Sequence, residues 1–381
     1  MLIERLYRIF TSLRLTVVLL GFAIVLVFCG TIAQVEMGLY RAQHEFFRSY
    51  LVLWQVPGLG LKLPLPGGYT VGGLLLINLI AAHLRYYRPG WKKIGIVLIH
   101  LGLVMLIVGQ YATDKLAVES YMSIREGEAS NYSESNSRFE LAIVDTSDPL
   151  RDRVVSVPAH LLGEREVISH PELPFTLRVR RYHANSSLAA APAEGYEEVQ
   201  AEHAAGQRLW WTPKPHETEM NRRDMPSALL EISGPQGAPG EQFVSAFLTR
   251  PNVVIAGGRR FELSLRPQRY YKPFSLQLLD FRFDRYPGTE IPKNFSSRVR
   301  ILHPGVGERE VVIRMNEPLR YGGETFFQAD WDKRDEKGTV LQVVRNPSWL
   351  TPYLACVIVS LGLVLQFMIH LVGYISKRRS A

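Results

Sequence analysis

Apolar residues gather in four nearly unbroken stretches, at 15–33 (LTVVLLGFAIVLVFCGTIA), 69–84 (YTVGGLLLINLIAAHL), 94–112 (IGIVLIHLGLVMLIVGQYA) and 350–375. A helix needs roughly 20 apolar residues to cross a bilayer, so each stretch predicts a membrane span. The second is short and is bounded by Pro64, Pro66 and Gly67–Gly68, whereas the fourth is long enough to cross with tilt. The first has no small-residue cleavage site followed by polar sequence, which makes it an uncleaved anchor rather than a signal peptide. Between the third and fourth stretches the pattern becomes alternating. RFELAIVD (138–145), FTLRVRRY (175–182), RRFELSL (259–265), SLQLLDFRFDRY (275–286), SRVRIL (297–302) and REVVIRM (309–315) predict half-buried strands. Gly234–Pro235, Pro287–Gly288 and Gly322–Gly323 punctuate them. From Ala184 to Met225 the chain is rich in Ala and Glu without a period, and reads as an insertion or a loosely ordered loop. The fold class that follows is an integral membrane protein of four transmembrane α-helices with a large β-rich extracytoplasmic domain inserted between the third and fourth. Its parts are 1–112 (three-helix anchor, with a short external loop at 34–68), 113–348 (β-rich domain) and 349–381 (fourth helix and basic tail).

Charge gives this arrangement a direction. Of 381 residues, 47% are hydrophobic and 21% charged, with a formal net charge of +8. Between Thr113 and Ser348 there are 31 basic and 33 acidic residues; the rest of the chain holds 13 basic and only 3 acidic. The basicity therefore lies beside the apolar stretches and does not form the domain-wide field of a nucleic-acid binder. Arg5, Arg8 and Arg14 precede the first stretch, Arg85, Arg88, Lys92 and Lys93 link the second and third, and Lys377, Arg378 and Arg379 follow the fourth. Only Glu4 opposes these ten. Positive flanks stay in the cytoplasm, so both termini are expected inside and 113–348 outside, periplasmic at the inner membrane of a Gram-negative bacterium. The two cysteines, Cys29 and Cys356, fall inside apolar stretches. The polar middle therefore offers no disulfide, thiol redox centre or zinc cluster.

That middle region also lacks a phosphate loop, a Gly-x-Ser-x-Gly elbow and a His-Glu-x-x-His pair. Its histidines (His160, His170, His183, His203, His216, His303) are irregularly spaced and read as surface or loop residues, as does His44 in the first external loop. Histidines in spans differ, because ionisable groups in hydrocarbon are costly and mark function. There are three: His83, His100 and His370. At 1.5 Å per residue, His100 lies about 9 Å and His370 about 7 to 8 Å from the cytoplasmic edge, and His83 lies at that edge. All three thus fall in the inner half of the bilayer. The four stretches hold no Asp or Glu, which leaves a proton relay without partners. A neutral imidazole in an apolar site suits axial ligation of haem iron, with propionates reaching Arg85, Arg88, Lys92 or Lys93. The competing reading is hydrogen bonding to a neighbouring helix, with His83 snorkelling at the interface.

GTIAQVEMGLYRAQHEFFRSY (30–50), WKKIGIVLIHLGLVMLIVGQ (91–110) and EPLRYGGETFFQADW (317–331), followed by TVLQVVRNPSW (339–349), together resemble the ResB/CcsB family of cytochrome c biogenesis proteins. The resemblance covers both ends and all four spans, and is loose over about 145–260. It implies the System II pathway, in which such proteins act with a multi-span CcsA/ResC partner to carry haem b across the membrane and join it to apocytochrome c. It implies that His100 is a transmembrane haem ligand paired with a histidine of that partner. The Trp-rich external loop of CcsA is absent, since Trp210–Trp211 does not carry its pattern, and the spans are too few for the fused protein. With no external cysteine, the chain is expected to be a subunit of a holocytochrome c synthase complex rather than a catalyst alone. Its outer domain would position CcsA, the apocytochrome or a thioredoxin-like thiol reductant.

Two other classes remain open at this point: a b-type membrane electron carrier with haem held by His100 and His370, and a non-haem scaffold or sensor anchored by its spans. The orientation is testable first. Alkaline phosphatase fused after about Gly240 should be active and a fusion after Ala381 inactive; the reverse pattern would overturn the orientation and the depth estimates with it.

Overall fold

The computed structural model describes residues 2–55, 62–86, 90–149, 151–217, 223–234, 240–289 and 292–380. Arg88 and Pro235 lie outside the described residues. The chain forms two compact units, one of residues 1–118 and 345–381 and the other of 119–217 and 221–344.

The helical unit begins with α1 (Leu2–Phe10), a short amphipathic helix carrying Glu4, Arg5 and Arg8 between its apolar positions. Next comes α2 (Leu13–Ala42). The first apolar stretch ends at Ala33, but α2 runs on through Gln34 and Glu36, which favour helix. It is interrupted only at Gly38, whose φ of +79° a side chain would resist. A π-turn (Gln43–Phe47) leads to a hairpin of β1 (Leu51–Gln55) and β2 (Lys62–Pro66), then to α3 (Gly68–Tyr86). A 3-10 turn (Trp91–Lys93) opens α4 (Ile94–Leu116), and the C-terminal helix covers Thr351–Ser380. Among the described residues three helices are long and apolar enough to cross a membrane: Leu13–Leu39, Trp91–Leu116 and Thr351–Arg379. The fourth expected span, α3, is a helix of 19 residues. Thr70, Gly72, Gly73 and the amide of Asn78 dilute its apolar character, and it is not among the three.

Two contacts hold these helices in register. Gly95, Gly102 and Gly109 recur every seven residues on α4, and all three are buried. A Cβ on Gly102 would stand 2.4 Å from Val359 Cγ2 and 2.9 Å from the Ala355 carbonyl oxygen. One on Gly95 would stand 2.6 Å from the Gly362 carbonyl oxygen, and one on Gly109 2.5 Å from Thr351 Cγ2. The C-terminal helix therefore lies directly on the α4 backbone, the small-residue packing that replaces a hydrophobic driving force in lipid. The second contact is Asn78, 1% exposed on α3. It accepts from Thr16 Oγ1 at 2.5 Å and donates to the carbonyls of Phe10 and Ser12, clamping the α1–α2 junction. Arg85 adds a donor to Thr11 Oγ1 at 2.5 Å.

The second unit is antiparallel β throughout its paired strands, and α4 leads into it through β3 (Val118–Arg125). There follow β4 (Ala129–Asp145), β5 (Arg153–Pro158), a helical turn (Leu161–Glu164), β6 (Val167–Ile168), β7 (Thr176–His183), β8 (Ser186–Ala189), β9 (Glu197–Glu198) and β10 (Trp210–Pro213). Then come β11 (Ser227–Ser233), β12 (Gly240–Ser245), β13 (Asn252–Ala256), β14 (Arg259–Arg285), β15 (Pro292–His303), β16 (Gly307–Arg314), β17 (Leu319–Tyr321), β18 (Glu324–Trp331) and β19 (Gly338–Arg345). The large sheet runs β16-β15-β14-β4-β3-β19-β18-β17, with β13 on β14 and β5 on β4; a second sheet runs β12-β11-β7-β6.

Two large cores fill this unit, beside a small cluster of Ala201, Trp211 and Phe243. One gathers Leu141, Ile143, Leu177, Leu230, Ile232 and Leu263 between the sheets. The other gathers Met122, Leu276, Val299, Ile313, Phe326 and Leu341. The long β14 serves both, whereas β4 contributes to the first. RRFELSL and SLQLLDFRFDRY, read as two strands, are the two halves of β14; the register slips at Pro267/Arg269 and again between Tyr271 and Leu276, around Pro273. Proline cannot donate to the ladder and sits at such bulges. Gly322 and Gly323, at φ +60° and +78°, make the two-residue turn between β17 and β18. The 184–225 region is ordered where described: β8, β10 and β9 form a small sheet whose Trp211 stacks edge-on against Phe243 at 5.0 Å.

Gly102→Leu tests the helix contact. It forces side-chain atoms into the backbone of the C-terminal helix, and overpacking of this kind costs about 1–3 kcal/mol or more. Disulfide trapping between cysteines placed on α4 and the C-terminal helix should fall sharply, while Gly73→Leu, whose Cβ meets nothing within 4 Å, should leave it unchanged.

Candidate functional site

The antiparallel α3 and α4 bring two of the three span histidines together. His83 sits one turn before the end of α3 and His100 in the second turn of α4. Their rings lie 5.3 Å apart between centroids, tilted by 51°. At 3.6 residues per turn His100 points about 140–160° away from Gly95 and Gly102. Packing that glycine row on the C-terminal helix therefore turns His100 toward α3.

His100 Nδ1 lies 2.8 Å from the Ile96 carbonyl oxygen. A carbonyl can only accept, so Nδ1 carries a proton, and in a neutral ring Nε2 is left with its lone pair. A hydrogen bond on the far nitrogen fixes the tautomer and orientation of a metal-binding imidazole. These donors fit a haem iron: one neutral nitrogen in an apolar helix pair, with no carboxylate on α3. Two rings 5.3 Å apart leave no room for a macrocycle between them. A haem held here would meet the pair from one side only.

His370 is placed elsewhere. It is exposed, and its Nε2 accepts from Gln366 Nε2 at 3.3 Å, while Gln366 also donates to the Lys92 carbonyl. Gly102 stands against Val359, so His370 is eleven residues, about 16 Å, beyond the level of Gly102. It sits beside the link into α4. His100 and His370 are thus not brought together. The absence of acidic groups holds for the apolar stretches themselves, but the helices extend past them and α4 includes Asp114 at its far end. Asp114 accepts from the Tyr69 hydroxyl and pairs with Arg48 Nε at 3.0 Å and Lys115 Nζ at 3.4 Å. It lies fourteen residues, about 21 Å, from His100.

The remaining histidines are dispersed. His44 is exposed in the π-turn. In the β unit His183 packs on Trp211 at 4.7 Å and His203 stands edge-on to Phe243, and burial holds both below the usual imidazole range. His303 Nδ1 is 2.6 Å from the Tyr321 hydroxyl and His216 Nδ1 2.6 Å from Asp224. Among the described residues no cluster of three His, Cys, Asp or Glu could hold a metal ion. The glycine row was legible in the sequence as a seven-residue repeat. The clamp of Asn78 and the Tyr69–Asp114–Arg48 cluster carried no such signal, because each joins residues more than forty apart.

A helical membrane unit followed by a two-core antiparallel β unit, with a histidine pair between two helices, defines a membrane protein with a large β-rich domain. The ResB-like family model matches residues 238–340, from β12 into β19. Protein NrfI of Wolinella succinogenes is 27% identical over 294 residues, which is 77% of this chain and 29% of that protein. Cytochrome c biogenesis protein CcsB of Prochlorococcus marinus strain MIT 9313 is 31% identical over 105 residues, 25% of this chain and 24% of that protein. CcsB of strain MIT 9303 is 32% identical over 100 residues, 24% and 22% respectively. Over these residues the chain is similar to the ResB-like family, and its matches span under a third of the length of these relatives.

Proposed function

We propose that this chain is the haem-handling subunit of a System II cytochrome c maturation complex, with haem b as its cargo. In this reading α3 completes a fourth span, both termini lie in the cytoplasm of a bacterial inner membrane, and the β unit is extracytoplasmic. One observation carries the proposal: the His100 ring, its Nδ1 tied to the Ile96 carbonyl, presents Nε2 beside His83 on the face of α4 away from the C-terminal helix. The relatives named CcsB are cytochrome c biogenesis proteins, and their match supports the pathway.

The residues then divide the work. His100 binds the iron from one side, and a histidine of a CcsA/ResC-type partner takes the other. His83, in contact with the ligand ring, steadies it and meets cargo arriving from the helix edge. Arg85, at the end of α3, is within the basic link expected to meet propionates. The β unit has no cysteine. Thiol addition to the haem vinyl groups therefore falls to the apocytochrome, presented with the partner and kept reduced by a separate thiol donor.

His100→Ala should lower the haem that co-purifies with the complex and reduce c-type cytochrome maturation, and added imidazole should partly restore both by filling the vacated position. His83→Ala should have an intermediate effect and His370→Ala the smallest. Full haem and maturation in His100→Ala, with loss in His370→Ala, would move the ligand to the C-terminal helix. Indifference to all three would make the chain a scaffold for a haem site held wholly by its partner.

A further inference from the structure

At the opposite end of the α3–α4 pair the helices part around a cleft of about 910 Å³. Its walls are apolar: Gly72, Gly73 and Leu76 from α3 face Leu106 and Ile107 from α4. The two glycines differ from the glycine row of α4, because a Cβ on either would meet nothing within 4 Å. The helix backbone itself forms a flat, open wall. Aromatic rings close the mouth, with Tyr69 and Tyr111 packed edge-to-face at 5.6 Å and Tyr50 against Tyr69 at 5.4 Å. The rim is charged. Arg48, half exposed, pairs with the buried Asp114 through Nε at 3.0 Å, and Lys115 lies 4.8 Å from the Tyr69 ring centre. Two cations against one carboxylate leave the rim net positive, and Asp114 holds the guanidinium in place at the mouth.

The volume is within the range of small-molecule sites, roughly 300–1,000 Å³. A flat backbone wall and aromatic edges favour a planar π-system over an acyl chain, because rings gain offset and edge contacts that chains do not. A guanidinium fork at the mouth matches a carboxylate in two-point geometry. The deep end of the cleft, at Leu76 and Leu106, is six or seven residues from His100 and His83 along the same helices, about 10 Å.

We propose that this cleft is a second binding station for a carboxylated porphyrin, with the ring against Gly72 and Gly73 and an acid group on Arg48. The proposal rests on the haem-handling reading and extends it from the histidine pair toward the other end of the helices. It needs no iron ligand, so iron-free protoporphyrin IX is the probe.

The full chain in phosphatidylcholine nanodiscs should bind this porphyrin saturably, followed by its fluorescence, and should do so equally well as His100→Ala. Gly73→Leu, which fills the cleft without touching the α4 contact, and Arg48→Gln, which removes the rim cation, should each weaken binding about tenfold or more, roughly 1.4 kcal/mol. Binding unchanged in both variants would overturn the proposal. So would native mass spectrometry showing that phosphatidylglycerol, retained through Arg48, excludes the porphyrin; the cleft would then be a lipid site. Neither result bears on haem bound through His100, which the His100→Ala haem measurement reads separately.

Discussion

The contact of three glycines with the C-terminal helix determines what the rest of the helical unit can do. Gly95, Gly102 and Gly109 put no side chain of α4 into the contact, so the rotation and height of the pair are set by the bare α4 backbone against Gly362, Ala355, Val359 and Thr351 of its neighbour. Rotation sends His100 to the opposite side of α4. Height places Gln366 beside Lys92 and carries His370 out of reach of His100. Asn78 then sets α3 against the α1–α2 junction through three hydrogen bonds, costly to lose where no water can replace them. The 5.3 Å approach of His83 to His100 follows from these two constraints together. A metal-binding imidazole is useful only if held by packing and a second hydrogen bond, and here both are present.

The β unit is built on a different economy. Its long strand β14 passes through both cores, so a bulge in β14 shifts side chains in each. Bulges re-aim a strand without ending it, which lets one strand of 27 residues serve two packing environments. Lys272, at the larger bulge and nearly fully buried, is neutralised by Glu324 at 2.7 Å and lies over the Phe326 ring. A buried ammonium without that carboxylate would carry an uncompensated charge. The bulge and its ion pair lie within the segment matched by the ResB-like family.

Much of this was legible in the residues. The apolar stretches located the long helices, and alternation located the ends of the strands that close at Asp145, His183, His303 and Arg314 to within one position, though β4 starts nine residues and β15 five residues earlier than the alternation does. What escaped was long-range. Pro267 and Pro273 broke the alternation and hid the continuity of β14. Trp210–Trp211 had no visible partner until β10 folded onto Phe243. The three span histidines could be placed by depth but not by direction, because facing depends on which side of α4 its neighbour covers. Depth itself shifted for His370 once Gln366 was seen to meet Lys92. The glycine repeat that decides the facing was present in the sequence. Only a partner helix gave it meaning.

In the proposed reading His100 would supply one nitrogen to the iron and a partner chain the other. Absorption and magnetic circular dichroism spectra of the full chain, purified alone and with a co-expressed CcsA/ResC-type partner, examine that directly. A shared site gives a haem with two imidazole ligands in the complex and little or no such signal from the chain alone. The same bis-imidazole spectrum from the chain without its partner would contradict a shared site and establish a resident haem ligated wholly within this protein.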